Sequence, residues 1–501
     1  MLRLAILTAV AFAAAGPPAA AERPNVLLIV TDDQAPWAVG HAVTNGQYRD
    51  VPAARTPHMD RLAREGAVFR NFFCKTPVCS PARASLMTWR YASEFGIHDF
   101  IPAPDHKLFD PDEEAALPPD ASTTFAELFQ AHGYRTALVG KWHLGDWTRP
   151  GKEGRHPTRH GFDEFTGLTG GGESPVDPRL EKDGQVRRFE GLTADLLTDE
   201  AIDFLERAST KEAPFLLCLH TRAPHARWLP VAPEDWAPYA DASIPLPQFA
   251  DLDEAKMDRF LREYLASVSG VDRNLGRLLD ALDELALSDD TVVISTSDHG
   301  YNMGHNGIWH KGNGLWATRT QPPGPTHRGT RVISDKYRPN LYDLSLKVPA
   351  IVRWPGRVEP GTVIERTASG LDLFPTLLAI AGIEPPADLP LRGRDLGPLL
   401  RGEAPEDWDD DFFGEYSMRH YAVATMRCYR TPRYKLIRDF HNAGRDEFYD
   451  LKRDPGETRN LIDSPHPAVC EAIARLHRKL FASLEAIDDP LRDSAPPPPA
   501  E

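Results

Sequence analysis

Strand-length apolar runs, each ending in a cluster of charged or imidazole-bearing residues, recur along this chain with helical stretches between them. The first is Asn25-Val26-Leu27-Leu28-Ile29-Val30-Thr31, followed directly by Asp32 and Asp33. A continuous apolar run of this length suits a strand buried on both faces of a parallel sheet. Thr56-Pro57 then opens a helix with Met59, Leu62 and Ala63 on one face, and residues 124–132 form an amphipathic helix closed by Gly133. Residues 134–139 read as the next strand, ending at Gly140-Lys141-Trp142-His143-Leu144-Gly145. A helix over 192–207 precedes a strand at 215–219 and then Ala223-Pro224-His225. A long helix over 255–287 precedes a strand at 291–296 and then Ser297-Asp298-His299-Gly300. This alternation predicts an α/β fold whose large, mostly parallel sheet is sandwiched by helices.

Singly, each polar cluster has an ordinary explanation: an Asp pair in a solvated turn, a surface Lys, a hydrogen-bonded structural His. Together they all sit just past the carboxyl end of a strand, the edge where open α/β sheets bind ligands. The clusters therefore form one site.

Cys79-Ser80-Pro81-Ala82-Arg83 introduces a different chemistry. Pro in a first turn and no breaker before Trp89 place Cys79 at a helix N-terminus, where free N–H groups and the dipole favour an anion. A Cys there has a lowered pKa and is nucleophilic; the alternative is a buried structural thiol.

Composition narrows the partners. A net charge of −16 over 501 residues argues against nucleic acid or an anionic membrane as partner, so an anionic substrate needs a local basic pocket. Residues 1–21 read as an export signal, with Arg3, an apolar stretch over 4–15 and Ala19-Ala20-Ala21. No later run is long enough to span a bilayer. The expected location is the periplasm or the exterior. Setting Cys79 apart, Cys74, Cys218, Cys428 and Cys470 allow three pairings or none, with Cys218 reading as a buried thiol in a strand. A strand at 348–353 and a helix from Asp372 to Gly382 follow. Pro and Gly over 384–398 and acids over 403–411 then read as a linker. Short strands at 421–426, 434–438 and 447–449, closed by a helix over 466–487, make a small C-terminal α+β subdomain. The expected division is a catalytic domain over 22–402, the subdomain over 403–490 and a disordered tail over 491–501.

The run from Cys79 to Arg90 resembles the signature of the formylglycine-dependent sulfatase family, in the alkaline-phosphatase-like superfamily, with Ala82, Met87 and Trp89 as departures. Trp89, in place of the usual Gly, suggests an aromatic wall near the pocket. The resemblance extends over nearly the whole mature chain. It takes in Asp32-Asp33, Gly140-Lys141-Trp142-His143, Ala223-Pro224-His225, Thr296-Ser297-Asp298-His299-Gly300, Lys311, and Phe448-Tyr449-Asp450-Leu451 with Asp454-Pro455-Gly456-Glu457.

It implies that a formylglycine-generating enzyme converts Cys79 to formylglycine, whose hydrate attacks the sulfur of a sulfate ester. It implies a divalent cation, Ca²⁺ with Mg²⁺ left open, at Asp32, Asp33, residue 79, Asp298 and His299. Arg83 would hold the hydrate and the carboxylates, and Lys141 and Lys311 the sulfate. His225 would protonate the leaving oxygen, and His143 would assist release. Two other readings remain: a phosphomonoester, phosphodiester or phosphonate hydrolase of the same superfamily, and an inactive binder of sulfated glycan.

The long connection after Lys311 carries Trp316, Arg328, Arg331, Lys336 and Arg338, with Trp309 just before it. Long loops at a ligand edge are often functional. Trp309 or Trp316 is expected to stack on a sugar, and Arg328 and Arg331 to bind a uronate or a second sulfate; the alternative is a solvated surface loop.

Overall fold

In a computed structural model describing residues 23–44, 47–48, 53–119 and 122–494, ten strands form one sheet. They are β1 (Asn25–Thr31), β2 (Ala67–Phe73), β3 (Arg135–Lys141), β4 (Glu164–Leu168), β5 (Arg179–Lys182), β6 (Gln185–Arg188), β7 (Phe215–His220), β8 (Thr291–Ser297), β9 (Ala350–Arg353) and β10 (Thr362–Ser369). Their spatial order is β10-β2-β9-β8-β1-β7-β3-β4-β5-β6. Five adjacent strands, β8, β1, β7, β3 and β4, run parallel, whereas β9, β5 and β6 join by antiparallel pairing. The expected export signal and the tail from residue 495 lie outside the described residues. Residues 490–494, of which 491–494 were expected within that tail, form a 3₁₀ turn in which Leu491 packs on the subdomain core.

β1 lies in the middle and divides the hydrophobic interior. Val26, Leu28 and Val30 point to one face, against helices Cys79–Met87 (α2, after α1 at Pro57–Glu65), Phe125–Ala131 (α3) and Leu373–Ala381 (which becomes α6 in chain order). Leu27 and Ile29 point to the other, against α1, Thr193–Ser209 (α4) and Glu254–Glu284 (α5). Both faces are covered, which is why the parallel strands read as continuous apolar runs. At Gly140 in β3 (φ +111°) a Cβ would strike the carbonyl of His220, so glycine permits the close approach of β7 just before Lys141.

The subdomain is an antiparallel sheet of β11 (Phe412–Met418), β12 (Ala424–Arg430), β13 (Tyr434–Asp439) and β14 (Glu447–Asp450), with α7 (Pro467–Ala486) packed on it. Sequence periodicity missed β11 and started β12 three residues early; Tyr421 belongs to the turn between them. Buried ion pairs lock this sheet to the rest. Lys435 lies 3.0 Å from Asp343 and 2.8 Å from Glu457, Arg430 lies 3.1 Å from Asp343, and Arg338 lies 2.8 Å from Glu447. All five cysteines are free thiols, with only Cys470 exposed.

Removing one partner from such a set strands a buried charge. Lys435→Met is expected to destabilise the protein by about 3–5 kcal/mol, and Lys435→Met with Glu457→Leu to recover part of the loss. Denaturant midpoints check this; an unchanged midpoint for Lys435→Met contradicts it.

Candidate active site

Four strand ends deliver the site. Asp32 and Asp33 follow β1, Asp298 and His299 follow β8, Lys141 ends β3 with His143 just beyond, and His225 follows β7. Cys79, the first residue of α2, faces them: its Sγ lies 3.6 Å from Asp32 Oδ1 and 3.4 Å from His299 Nε2, and accepts a hydrogen bond from Lys311 Nζ at 2.9 Å. Every residue of α2 is buried, so the helix is fixed by packing and its N-terminus is aimed at the strand ends. Asp33, His143 and His310 adopt left-handed backbone conformations (φ 70°, 58° and 86°), strain concentrated where the side chains converge.

Charge is paired throughout. Lys141 Nζ lies 2.6 Å from Asp32 Oδ2, and Lys311 Nζ lies 2.8 Å from Asp33 Oδ1. Arg83 donates through Nε to Asp298 Oδ2 (3.1 Å) and through Nη1 to the Lys141 carbonyl (3.0 Å). Burial alone would raise the Cys79 thiol, yet Lys141 and Lys311, with the imidazoles of His143 and His225, hold it well below the usual thiol range. Burial and the Cys79 sulfur would likewise raise the Asp32 carboxyl, which Lys141, His225 and Arg83 hold below the ordinary range. Asp298 goes the other way, pushed up to about 6 by burial and by the charge of Asp32.

That crowding of carboxylates is what a cation relieves. Ligand atoms of Asp32, Cys79, Asp298 and His299 lie within 4.8 Å of one another, as do those of Asp32, Asp33 and His225. Asp33 Oδ2 is buried with no hydrogen-bond partner among the described residues. His299 Nδ1 lies 3.1 Å from the Gly300 carbonyl, so a proton there leaves the Nε2 lone pair turned to the cluster. The three carboxylates, Asp32, Asp33 and Asp298, fit a hard divalent cation.

The histidines have fixed tautomers. His143 Nε2 donates to the Ile101 carbonyl (2.9 Å), leaving Nδ1 buried with no hydrogen-bond partner among the described residues and its ring beside Cys79, a base ready for a proton. His225 Nδ1 donates to the Ala226 carbonyl (2.6 Å), and its Nε2 stands 3.9 Å from Asp33 Oδ2. Both line an open cleft above Cys79.

The substrate residues expected after Lys311 do not line that cleft. The connection folds into a small sheet of Asn302–Met303, Ile308–His310, Asn313–Trp316 and Tyr337–Pro339, which delivers Lys311. Trp316 is fully buried against His327 and has no face for a sugar. Trp309 packs between Phe260 and Trp228 under Lys256. Arg328 binds Asn306 Oδ1 (2.6 Å) and the Glu457 carbonyl (3.0 Å) and lies over Phe249. Arg331 is exposed on a hairpin with Thr326–His327. Trp89 lies in the core, not on the cleft. The aromatic wall comes instead from Phe100 and Tyr421, and His106, His310 and Asn313 join it. Of these, only His310 carried a sequence signal, its place beside Lys311.

A family model described as Sulfatase matches residues 24–383, and one described as N-sulphoglucosamine sulphohydrolase, C-terminal, matches 334–486. The N-acetylglucosamine-6-O-sulfatase of Bacteroides thetaiotaomicron is 26% identical, covering 95% of this chain and 88% of the relative. The N-acetylgalactosamine-6-sulfatase of Canis lupus familiaris is 31% identical, covering 80% and 69%. A solved complex of BT4656 with its substrate D-glucosamine-2-N,6-O-disulfate has the same fold, with a TM-score of 0.73 at 24% identity, covering 94% of this chain and 99% of that one.

A cation that relieves crowded carboxylates stabilises the fold that holds it. Ca²⁺ at about a hundred times its dissociation constant is expected to add about 2.7 kcal/mol, read as a higher melting temperature than in chelator. Asp298→Asn should lose most of that increment. Equal melting temperatures for the unaltered protein in Ca²⁺ and in chelator contradict the site.

Proposed function

The chain belongs to the sulfatase family and is a sulfuric ester hydrolase; from that premise we propose that it is exported and removes sulfate from carbohydrate, using formylglycine made from Cys79 and a divalent cation. The observation that carries the reading is the convergence on one Sγ of Lys311 (2.9 Å), His299 (3.4 Å) and Asp32 (3.6 Å) at the head of a buried helix. The sulfated-carbohydrate substrate is supported by the relatives, whose names specify N-acetylglucosamine and N-acetylgalactosamine sulfates.

In this reading the Cys79 sulfur marks where the hydroxyls of a hydrated aldehyde stand. That hydrate supplies two hydroxyls on one carbon, one to attack sulfur and one whose deprotonation lets sulfate leave. Asp32, Asp33, Asp298 and His299 would hold the cation, which supplies positive charge to the sulfate oxygens when bound. Lys311 touches both Asp33 and residue 79, so it fixes the nucleophile and shares the charge of the incoming sulfate. Lys141 does the same from the Asp32 side, and Arg83 keeps Asp298 and the Lys141 carbonyl in register. His225, its Nδ1 proton anchored, delivers a proton from Nε2 to the departing alcohol oxygen. His143 takes up the proton of the second hydroxyl at its free Nδ1.

The test begins with the mass of the peptide around residue 79 after expression beside a formylglycine-generating enzyme, where the thiomethyl side chain should appear as an aldehyde. The modified protein should then hydrolyse an aryl sulfate faster than the matched aryl phosphate, and Cys79→Ala should lose on the order of a thousandfold or more in kcat with the fold intact. A persisting thiol alongside full activity, or faster turnover of the phosphate, overturns the proposal.

A further inference from the structure

Beyond the reacting groups, the cleft is walled by residues from two distant parts of the chain that bond-breaking does not use. Phe100 and Asp105 come from the connection after α2, and Tyr421 from the turn between β11 and β12. That turn is held firmly. The carboxylate of Asp99, only 5% exposed, accepts from the backbone N–H of Arg419 (2.8 Å) and of His420 (3.0 Å), and His420 Nε2 lies 3.0 Å from the Phe100 carbonyl. Tyr421 sits at φ 65°, a region that bulky residues seldom adopt, and keeps 41% of its surface exposed. Tyr337 backs the ring nearly parallel at 4.9 Å, and Phe100 stacks at 6.2 Å.

The charge along this wall is equally distinctive. Among the described residues, the ionic side chain lining the cleft, apart from the histidines (His106 on the wall itself) and Lys311 at the sulfate end, is the carboxylate of Asp105, and no described arginine lines it. The exposed Lys107 holds its ammonium 5.4 Å from the Tyr421 ring centre. A second sulfate or a carboxylate on the substrate would lose water against apolar rings and a like charge, with the exposed Lys107 ammonium beside Tyr421 and no buried cation among the described lining residues to replace it. An uncharged sugar ring instead offers a C–H face to the aromatic rings and hydroxyls that Asp105 accepts.

Resting on the sulfatase reading, we infer that this cleft selects a saccharide bearing one sulfate on an otherwise uncharged ring, with Tyr421 and Asp105 as specificity-determining residues. The test uses enzyme whose residue 79 carries the aldehyde, with three probes: 4-nitrophenyl sulfate, N-acetylglucosamine-6-sulfate and glucosamine-2-N,6-O-disulfate. The monosulfated sugar should exceed the disulfated one in kcat/KM by roughly tenfold or more, and Asp105→Asn should narrow that gap. Tyr421→Asn, which keeps a residue tolerant of positive φ, should raise KM for the monosulfated sugar roughly tenfold with kcat little changed, and Tyr421→Phe should restore it. Equal or better turnover of the disulfated sugar, or an unchanged KM in Tyr421→Asn, overturns the inference. Hydrolysis of 4-nitrophenyl sulfate with neither sugar turned over removes the inference and leaves the sulfatase reading. Hydrolysis of none of the three removes both.

Discussion

Asp32, Asp33, Asp298, His299, Arg83, Lys141 and Lys311 are each no more than 2% exposed, and they meet at the carboxyl ends of β1, β3 and β8. Charges sealed from water are strongly unfavourable unless each finds an opposite charge or a hydrogen bond. Here the pairing is tight, Lys141 on Asp32, Lys311 on Asp33 and Arg83 on Asp298, and it leaves Asp33 Oδ2 without a hydrogen-bond partner among the described residues. The sheet order follows from that requirement. β8, β1 and β7 must be neighbours for their end residues to meet, and Gly140 must be glycine for β3 to close on β7.

This local origin explains how much of the site was legible. Asp32, Asp33, Lys141, His143, His225, Asp298 and His299 each sit within a few positions of an apolar strand, so strand and side chain are written in one short stretch, as in Val30-Thr31-Asp32-Asp33. Reading which face Trp316 presents was not possible in that way. Its burial depends on His327 and on a sheet formed with Tyr337–Pro339, contacts that no local pattern announces. The basic run after Lys311 misled for the same reason. Arg338 is neutralised by Glu447, and Arg328 is held by the Glu457 carbonyl, both more than a hundred residues away, so what reads as a cationic loop is largely the seam with the subdomain. β11 was missed because Phe412–Met418 is interrupted by Gly414 and Glu415, and Glu415 is buried where it accepts from Ser93.

The subdomain thus has two physical roles. Its buried ion pairs fasten it to the segment around Asp343, and Asp99 draws its first turn over the cleft beside Phe100. In the proposed reading, sulfate chemistry and substrate shape fall to different parts of the chain: the first to strand ends of the large sheet, the second to a turn that can vary without disturbing the charge pairing below.

The most direct measurement is a crystal structure of the protein matured beside a formylglycine-generating enzyme and soaked in Ca²⁺. The buried charge arrangement predicts one ion with oxygen ligands from Asp32, Asp33 and Asp298 at about 2.3–2.6 Å, and residue 79 as an oxygenated side chain beside it. An unaltered thiol at residue 79 together with no ion among these carboxylates would contradict it.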